Sequence, residues 1–378
     1  MRRPHASVGW PGFLGLALLA AWVSWSVLVG IRLDQGISPT SPYVLAPVVL
    51  VAGVGAGQVL ERYAADRRLH LALAFAGGVL VLGVLLTTEP GKRPLGYANA
   101  NAALAVQVVA LCGLALLATG RGQPGQRGER GECGERGERG ERRTLMVALG
   151  LAVVAVALNR SAAGLAVCVP LVLVIGAVLG RRPVHRWWAV ALGAVVAAAG
   201  AAVILRLGQG PGFPPWARGI FDTVREQLWS DAVTLWRTRP LTGSGPGSFQ
   251  DATALAVDPD TSSAHSSVLQ IGAETGWVGV AFLALTGLAG LLWAARGRAP
   301  EAVVAAAAWT ALLVHSYADH LLEFAPVVLT AGMVIGWAAA TRVSVPRPQK
   351  SSTSPSVSAQ SPGAGGEAAS GRVVSSGP

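Results

Sequence analysis

Apolar residues run along this chain in blocks of 15 to 24 positions, and Arg, Gly and Pro collect in the short stretches between them. A helix needs about twenty such residues, at about 1.5 Å each, to cross a hydrocarbon layer about 30 Å thick. Ten runs meet that description, near 10–31, 42–60, 69–87, 99–119, 144–158, 163–180, 187–207, 276–295, 301–318 and 323–341. The fifth is the shortest and the ninth is rich in alanine. The first follows Met1-Arg2-Arg3, has no clear small-residue cleavage site and precedes further spans, so it reads as an uncleaved anchor. The fold class expected is an all-α integral membrane protein of about ten transmembrane helices.

Composition agrees. Of 378 residues 52% are hydrophobic and 13% charged, and the mean hydropathy is +0.49. A soluble chain carries about a quarter charged residues, so the polar skin that a soluble enzyme needs is missing. A secreted disulfide scaffold is excluded too: Cys112 and Cys168 fall inside apolar runs and Cys133 in a basic stretch, which reads as three inert thiols. The net charge of +10 belongs to topology rather than to a nucleic-acid partner. With the N-terminus inside, the inner segments hold 21 of the 30 Lys and Arg, so the clusters alternate as the positive-inside rule requires. Both termini are then expected in the cytoplasm of a multi-pass cell-membrane protein.

Two segments are low in complexity. Residues 122–142 run as Gly-x-y triplets dominated by Gly-Glu-Arg, too few for a triple helix, and read as a flexible inner loop. Residues 342–378, rich in Ser, Pro and Gly, read as a disordered cytoplasmic tail. One outer connection is long, from 208 to 275. Within it, from Trp216 to Arg239, Phe221, Val224, Leu228, Ala232 and Leu235 recur at three- and four-residue steps and predict an amphipathic helix. Trp229 and Trp236 on one flank suggest that it lies along the membrane surface. Pro240 ends the helix and Gly243-Ser244-Gly245-Pro246-Gly247 makes a tight turn.

Several polar residues share the outer side. Arg160 is squeezed into a short turn between the fifth and sixth spans, Arg225 lies on the surface helix, and His265-Ser266 stands where the loop re-enters the membrane. Asn99 and Asn101 open the fourth span. His315, Asp319 and His320 gather at the outer end of the ninth; two His and a carboxylate can ligate a metal, but a hydrogen-bonded support for a site is the reading preferred here. Asp222 and Glu226 sit four apart on the surface helix and read as a solvated face rather than a hydrolase pair.

These residues resemble a family. His265-Ser266, nine residues and Gly276-Trp277-Val278-Gly279 are similar to the signature of the O-antigen ligase and polymerase superfamily. Arg225-x3-Trp229 and the Pro240-Leu241-Thr242-Gly243-Ser244-Gly245 turn leading to Phe249 resemble its helix and turn, and Asn99-Ala100-Asn101 its Asn-x-Asn. Asn159-Arg160-Ser161 resembles its Ser-Arg-Ser/Gly turn with Asn in the first place. The resemblance covers about 95–340, leaving 1–94 as three N-terminal spans, two fewer than better-known ligases carry.

The resemblance implies transfer of a glycan from a polyprenyl diphosphate carrier to a hydroxyl on lipid, sugar or protein, at the outer face, with inversion, without metal and without cofactor. Its catalytic residues would be His265 as general base, with Arg160 and Arg225 on the diphosphate. Asn99, Asn101, Arg239, Gly243, Gly245 and Asp319 would bind substrate. Guanidinium forks suit a leaving diphosphate and imidazole suits proton removal near neutral pH. Two other readings stand beside it. A transporter or flippase of lipid-linked or anionic solutes should carry ionisable residues at mid-membrane, whereas the charges here sit at span ends. An inactive homologue serving as an assembly partner would keep the turn glycines while tolerating loss of His265.

Overall fold

Residues 10–64, 66–87, 94–120, 132–183, 185–256 and 261–341 are described by the structure, a computed structural model. The ten apolar runs are helices: α1 (Trp10–Arg32), α2 (Pro42–Arg62), α3 (Arg67–Leu85), α4 (Ala98–Thr119), α5 (Glu132–Leu158), α6 (Ala162–Leu179), α7 (Arg186–Gln209), α11 (Ser267–Ala294), α12 (Ala299–Tyr317) and α13 (Ala325–Ala340). The long connection contributes α8 (Pro215–Arg218), α9 (Thr223–Thr238) and α10 (Ser248–Ala252), and a 3-10 turn at Leu321–Glu323 precedes α13. Eight of these helices are long and apolar enough to span a membrane; α13 is an apolar helix of 16 residues, and α5 begins in charged sequence. No strand occurs among the described residues. The protein is an all-α, multi-pass membrane protein.

Helix starts follow local chemistry. Asp66, Ser161, Asp222 and Ser266 each place a side-chain oxygen on a first-turn N–H of α3, α6, α9 and α11. The Gly-Glu-Arg triplets, expected as loop, are helical from Glu132 onward, where they extend α5 beyond its apolar part. The preceding part, 121–131, and the tail from 342 lie outside the described residues.

Helices α4 and α12 form the centre, each buried along most of its length. The alanines that mark α12 in the sequence have a use there. Five helices, α4, α6, α7, α11 and α13, pack around it, and small side chains let backbones approach where lipid supplies no hydrophobic drive. The same device joins α2 to α13. Gly53 and Gly57 face Gly332 and Gly336, and a Cβ on any of the four would overlap the opposite backbone. The first three helices are thus built into the bundle, α1 against α11, α2 against α13 and α3 against α5.

One joint organises the end of the bundle that carries the long connection. Helix α11 starts at Ser267, nine residues before the expected span, and breaks at Gly276 (φ +70°, ψ −169°). Its polar first turns pair internally: Gln270 donates to Glu274 (3.1 Å) and accepts from the Ala264 N–H (2.7 Å). The break removes partners from backbone groups on both sides, and such orphans are costly in an apolar medium. The turn after α9 supplies them. The N–H groups of Ser244 and Gly245 donate to the carbonyls of Ala273 and Glu274 (both 2.9 Å), and the Pro240 carbonyl accepts from Trp277 N–H (2.9 Å). The Trp25 indole of α1 donates to the Thr275 carbonyl (3.1 Å). Gly243 (φ +71°) lies directly on the Glu274–Thr275 backbone, and Gly245 (φ +103°) lies against the Gln35 side chain.

Helix α9 departs from expectation. Trp229 and Trp236 are 0% and 5% exposed, turned into the protein against α11 and α7 rather than toward lipid headgroups. Their indole N–H groups are used internally, Trp236 on the Pro240 carbonyl (3.0 Å) and Trp229 on the His265 carbonyl (3.4 Å). Phe213 and Phe221 close over Trp229 with ring centroids 5.2 and 4.9 Å away. The expected single helix is also two, α8 and α9, with Asp222 recapping the chain between them. A ring that large gains more from a packed core than from the interface, and only the fold shows that a core is there.

A candidate active site at one end of the bundle

Four segments bring polar side chains together: the start of α4, helix α9 in the long connection, the approach to α11 and the exit of α12. Asp319, immediately beyond α12 and 1% exposed, is the centre. Its carboxylate accepts from the Tyr97 hydroxyl at both oxygens (3.0 and 2.9 Å), from Asn99 Nδ2, from Arg225 (3.4 Å) and from the His320 N–H (2.8 Å). Its backbone carbonyl accepts from Ser267 N–H (2.9 Å), which fixes the exit of α12 to the start of α11.

Tyr97 stands between Asp319 and His265. Its hydroxyl lies 3.4 Å from His265 Nδ1 and also receives Asn99 Nδ2 (3.1 Å) and Arg225 (3.4 Å). The ring stacks on Phe324 (5.8 Å, 11°) and meets His265 edge to face (5.8 Å, 86°). The single phenolic proton is directed to Asp319. A proton on His265 Nδ1 therefore avoids opposing lone pairs and leaves the lone pair on Nε2.

His265 is 8% exposed and holds φ +47°, an uncommon conformation for a residue with a Cβ. The Trp229 indole on its carbonyl and the Ser266 cap on α11 bracket this backbone. Strain held in this way between fixed neighbours concentrates at functional sites. Arg225, with a side chain 18% exposed, is pulled two ways: one nitrogen pairs with Asp222 (2.8 Å) and the other reaches Asp319. Its Nε is buried with no hydrogen-bond partner among the described residues.

The electrostatics follow. Burial alone would raise the Asp319 pKa, but the His320 hydrogen bond and charge, with those of Arg225 and His265, hold it well below the usual carboxylate range. Burial pulls His320 down, but Asp319 outweighs it and holds the imidazole above its ordinary value. The Tyr97 hydroxyl is pushed up by burial and by the Asp319 charge, so it stays protonated. Arg225 loses by burial and gains more from Asp319, and its pKa is raised.

His265, Asp319 and His320 also present ligand atoms within 4.8 Å of one another, a spacing that a cation could draw together. His315, offered with them by the sequence, is not part of that set. The residues fit a metal poorly. The carboxylate already accepts from four residues, and a guanidinium lies 3.4 Å away where a dication would be repelled.

The other expected site residues are placed differently. Asn101 spends its amide on the chain itself, donating to the Tyr97 carbonyl (2.9 Å) and accepting from Leu95 N–H (3.2 Å), so it shapes the strap that carries Tyr97. Gly243 and Gly245 serve the α11 joint, and the Arg239 carbonyl closes that turn on Gly243 N–H (2.8 Å) while its side chain is exposed. Arg160 occupies the α5–α6 turn with φ +53° and is exposed. The first turn of α6 packs on Ala102 of α4, which puts Arg160 at the same end as Asn99. Tyr97 and His320 were the residues not singled out as binding or catalytic. Tyrosine at a span end reads as an interfacial anchor, and only its place two residues before Asn99 hints otherwise.

No curated protein matches the chain. Residues 145–284 match the family model described as O-Antigen ligase, a stretch holding Arg160, Arg225 and His265 but neither Tyr97 nor Asp319. Through that segment, somewhat over a third of the chain, the protein is similar to the O-antigen ligase family.

Proposed function

We propose that the protein transfers a glycan from a polyprenyl diphosphate carrier to an acceptor hydroxyl at the outer face of the cell membrane. One observation carries the reading: Tyr97, Asn99, Arg225, His265, Asp319 and His320 converge from four segments into one buried polar cluster at a span boundary. The side is inferred from charge, since the arginine-rich segments alternate to the other end.

In the proposed step the acceptor oxygen attacks the anomeric carbon. The bond from that carbon to the diphosphate oxygen breaks, and its electron pair leaves with the carrier. The acceptor's proton passes to His265 Nε2, whose Nδ1 side is braced by Tyr97 and, through it, by Asp319. Arg225, with its unused Nε, and Arg160 at the same end would take the charge developing on the diphosphate. A single displacement inverts the anomeric centre, and two guanidinium groups do electrostatically what a metal does elsewhere.

The test is reconstitution in nanodiscs with polyprenyl diphosphate-linked oligosaccharide from cells lacking the protein. His265→Ala and Arg225→Ala should each lower carrier discharge at least about 100-fold, in the range of lost acid–base or oxyanion-type stabilisation, with unchanged folding. Normal rates in both remove the mechanism. An Arg160→Cys variant should react with an impermeant thiol reagent added outside intact cells; protection there with reaction from inside reverses the orientation.

A further inference from the structure

The cluster has two sides of unlike chemistry. On the α9 side stands Arg225 with its unpartnered Nε. Past His320, the chain leaving α12 presents Glu323 and Phe324 before α13 begins. Glu323 is exposed, and its carboxylate makes no hydrogen bond or ion pair among the described residues. Phe324 is half-buried, stacked on Tyr97 on one face (5.8 Å, 11°) and 5.4 Å from the His320 ring. The His265 ring is close by, 4.7 Å from His320 and 5.8 Å from Tyr97.

We propose that Glu323 and Phe324 form the acceptor subsite, and that it takes a sugar ring with free hydroxyls and no phosphate of its own. The proposal rests on the transferase reading. If the diphosphate lies on Arg225, an in-line displacement brings the acceptor from the other side of the anomeric carbon, and Phe324 and His265 are both neighbours of His320. An open carboxylate accepts hydrogen bonds from neighbouring hydroxyls, and a ring held flat by Tyr97 offers an apolar face to the C–H side of a pyranose. The same carboxylate repels an anionic acceptor, so a sugar phosphate or a phosphorylated lipid head is selected against. Arg225 and Arg160, which would welcome such a group, are on the donor side. Donor and acceptor are thereby told apart by charge.

The experiment uses cells of the native host whose only copy of the gene is wild type, Glu323→Gln, Glu323→Lys, Phe324→Ala or Phe324→Tyr. Acceptor-linked surface glycan, carrier-linked glycan and free glycan released by water are measured together. Glu323→Gln and Phe324→Ala should lower surface glycan about 10-fold or more and raise the share of discharged glycan that appears free. Phe324→Tyr should restore transfer, and Glu323→Lys should shift product toward phosphate-bearing acceptors. Protein amount and melting temperature should match wild type in Glu323→Gln, whose side chain is exposed, and in Phe324→Tyr, which keeps the ring on Tyr97. Wild-type partition between acceptor and water in Glu323→Gln and Phe324→Ala overturns the subsite alone. A wild-type strain that discharges no more carrier than a deletion strain removes the transferase reading, and the subsite with it.

Discussion

Tyr97→Phe isolates one oxygen. The ring stays, with its stack on Phe324 and its edge toward His265, while the hydroxyl that meets Asp319, Asn99, Arg225 and His265 is lost. Asp319 keeps Asn99, Arg225 and the His320 N–H, so the carboxylate is not stranded. A hydrogen bond to a charged partner contributes about 1.5–3 kcal/mol, and part of it is recovered by the remaining donors. The cost to stability should be about 1–2 kcal/mol. The cost to rate should be larger, because the hydroxyl that links His265 Nδ1 to Asp319 is gone and the imidazole loses that brace. Losing about 2–3 kcal/mol of transition-state stabilisation slows the reaction about 30- to 150-fold. Carrier discharge in nanodiscs should show that fall in kcat with little change in the donor KM. A Phe variant within twofold of wild type would refute the brace between Asp319 and His265.

Other outcomes follow from the packing and the charges. Gly276→Ala should be destabilised by about 1–3 kcal/mol from a backbone conformation (φ +70°, ψ −169°) that essentially only glycine adopts, and more because its Cβ would overlap the Leu241 carbonyl; thermal melting in detergent measures it. Gly57→Leu should fail to assemble, since even a Cβ there meets the Met333 backbone, and aggregation on size exclusion is the expected readout. For pH, the raised His320 pKa means stability fully present below about 6.5, the unfolded value, and lost as pH rises through the higher folded value. The depressed Asp319 pKa gives the opposite limb: stability present above about 3.9 and lost as pH falls through the lower folded value. Melting temperature should therefore decline on the alkaline side, and His320→Gln should flatten that decline.

Much was legible in order along the chain. Runs of apolar residues set ten helices because hydrocarbon leaves the backbone no partner but itself. Local rules also placed Pro240 at the end of the surface helix, but not the cap at Asp222, which falls inside what reads as one helix. The Gly276 motif and the Gly243–Gly245 turn could be seen as separate motifs. That they are two halves of one joint, trading orphaned carbonyls and N–H groups, required the pieces in contact. The tryptophans of α9 show the same limit: amphipathicity gave the helix, but which surface its rings meet depends on whether a neighbour stands there. The site follows this rule most strongly. The family resemblance pointed to Arg225, His265 and Asp319. The fold alone decided that Tyr97, 168 positions before His265, completes them, because a hydrogen bond reads distance in space and the chain records only distance along itself.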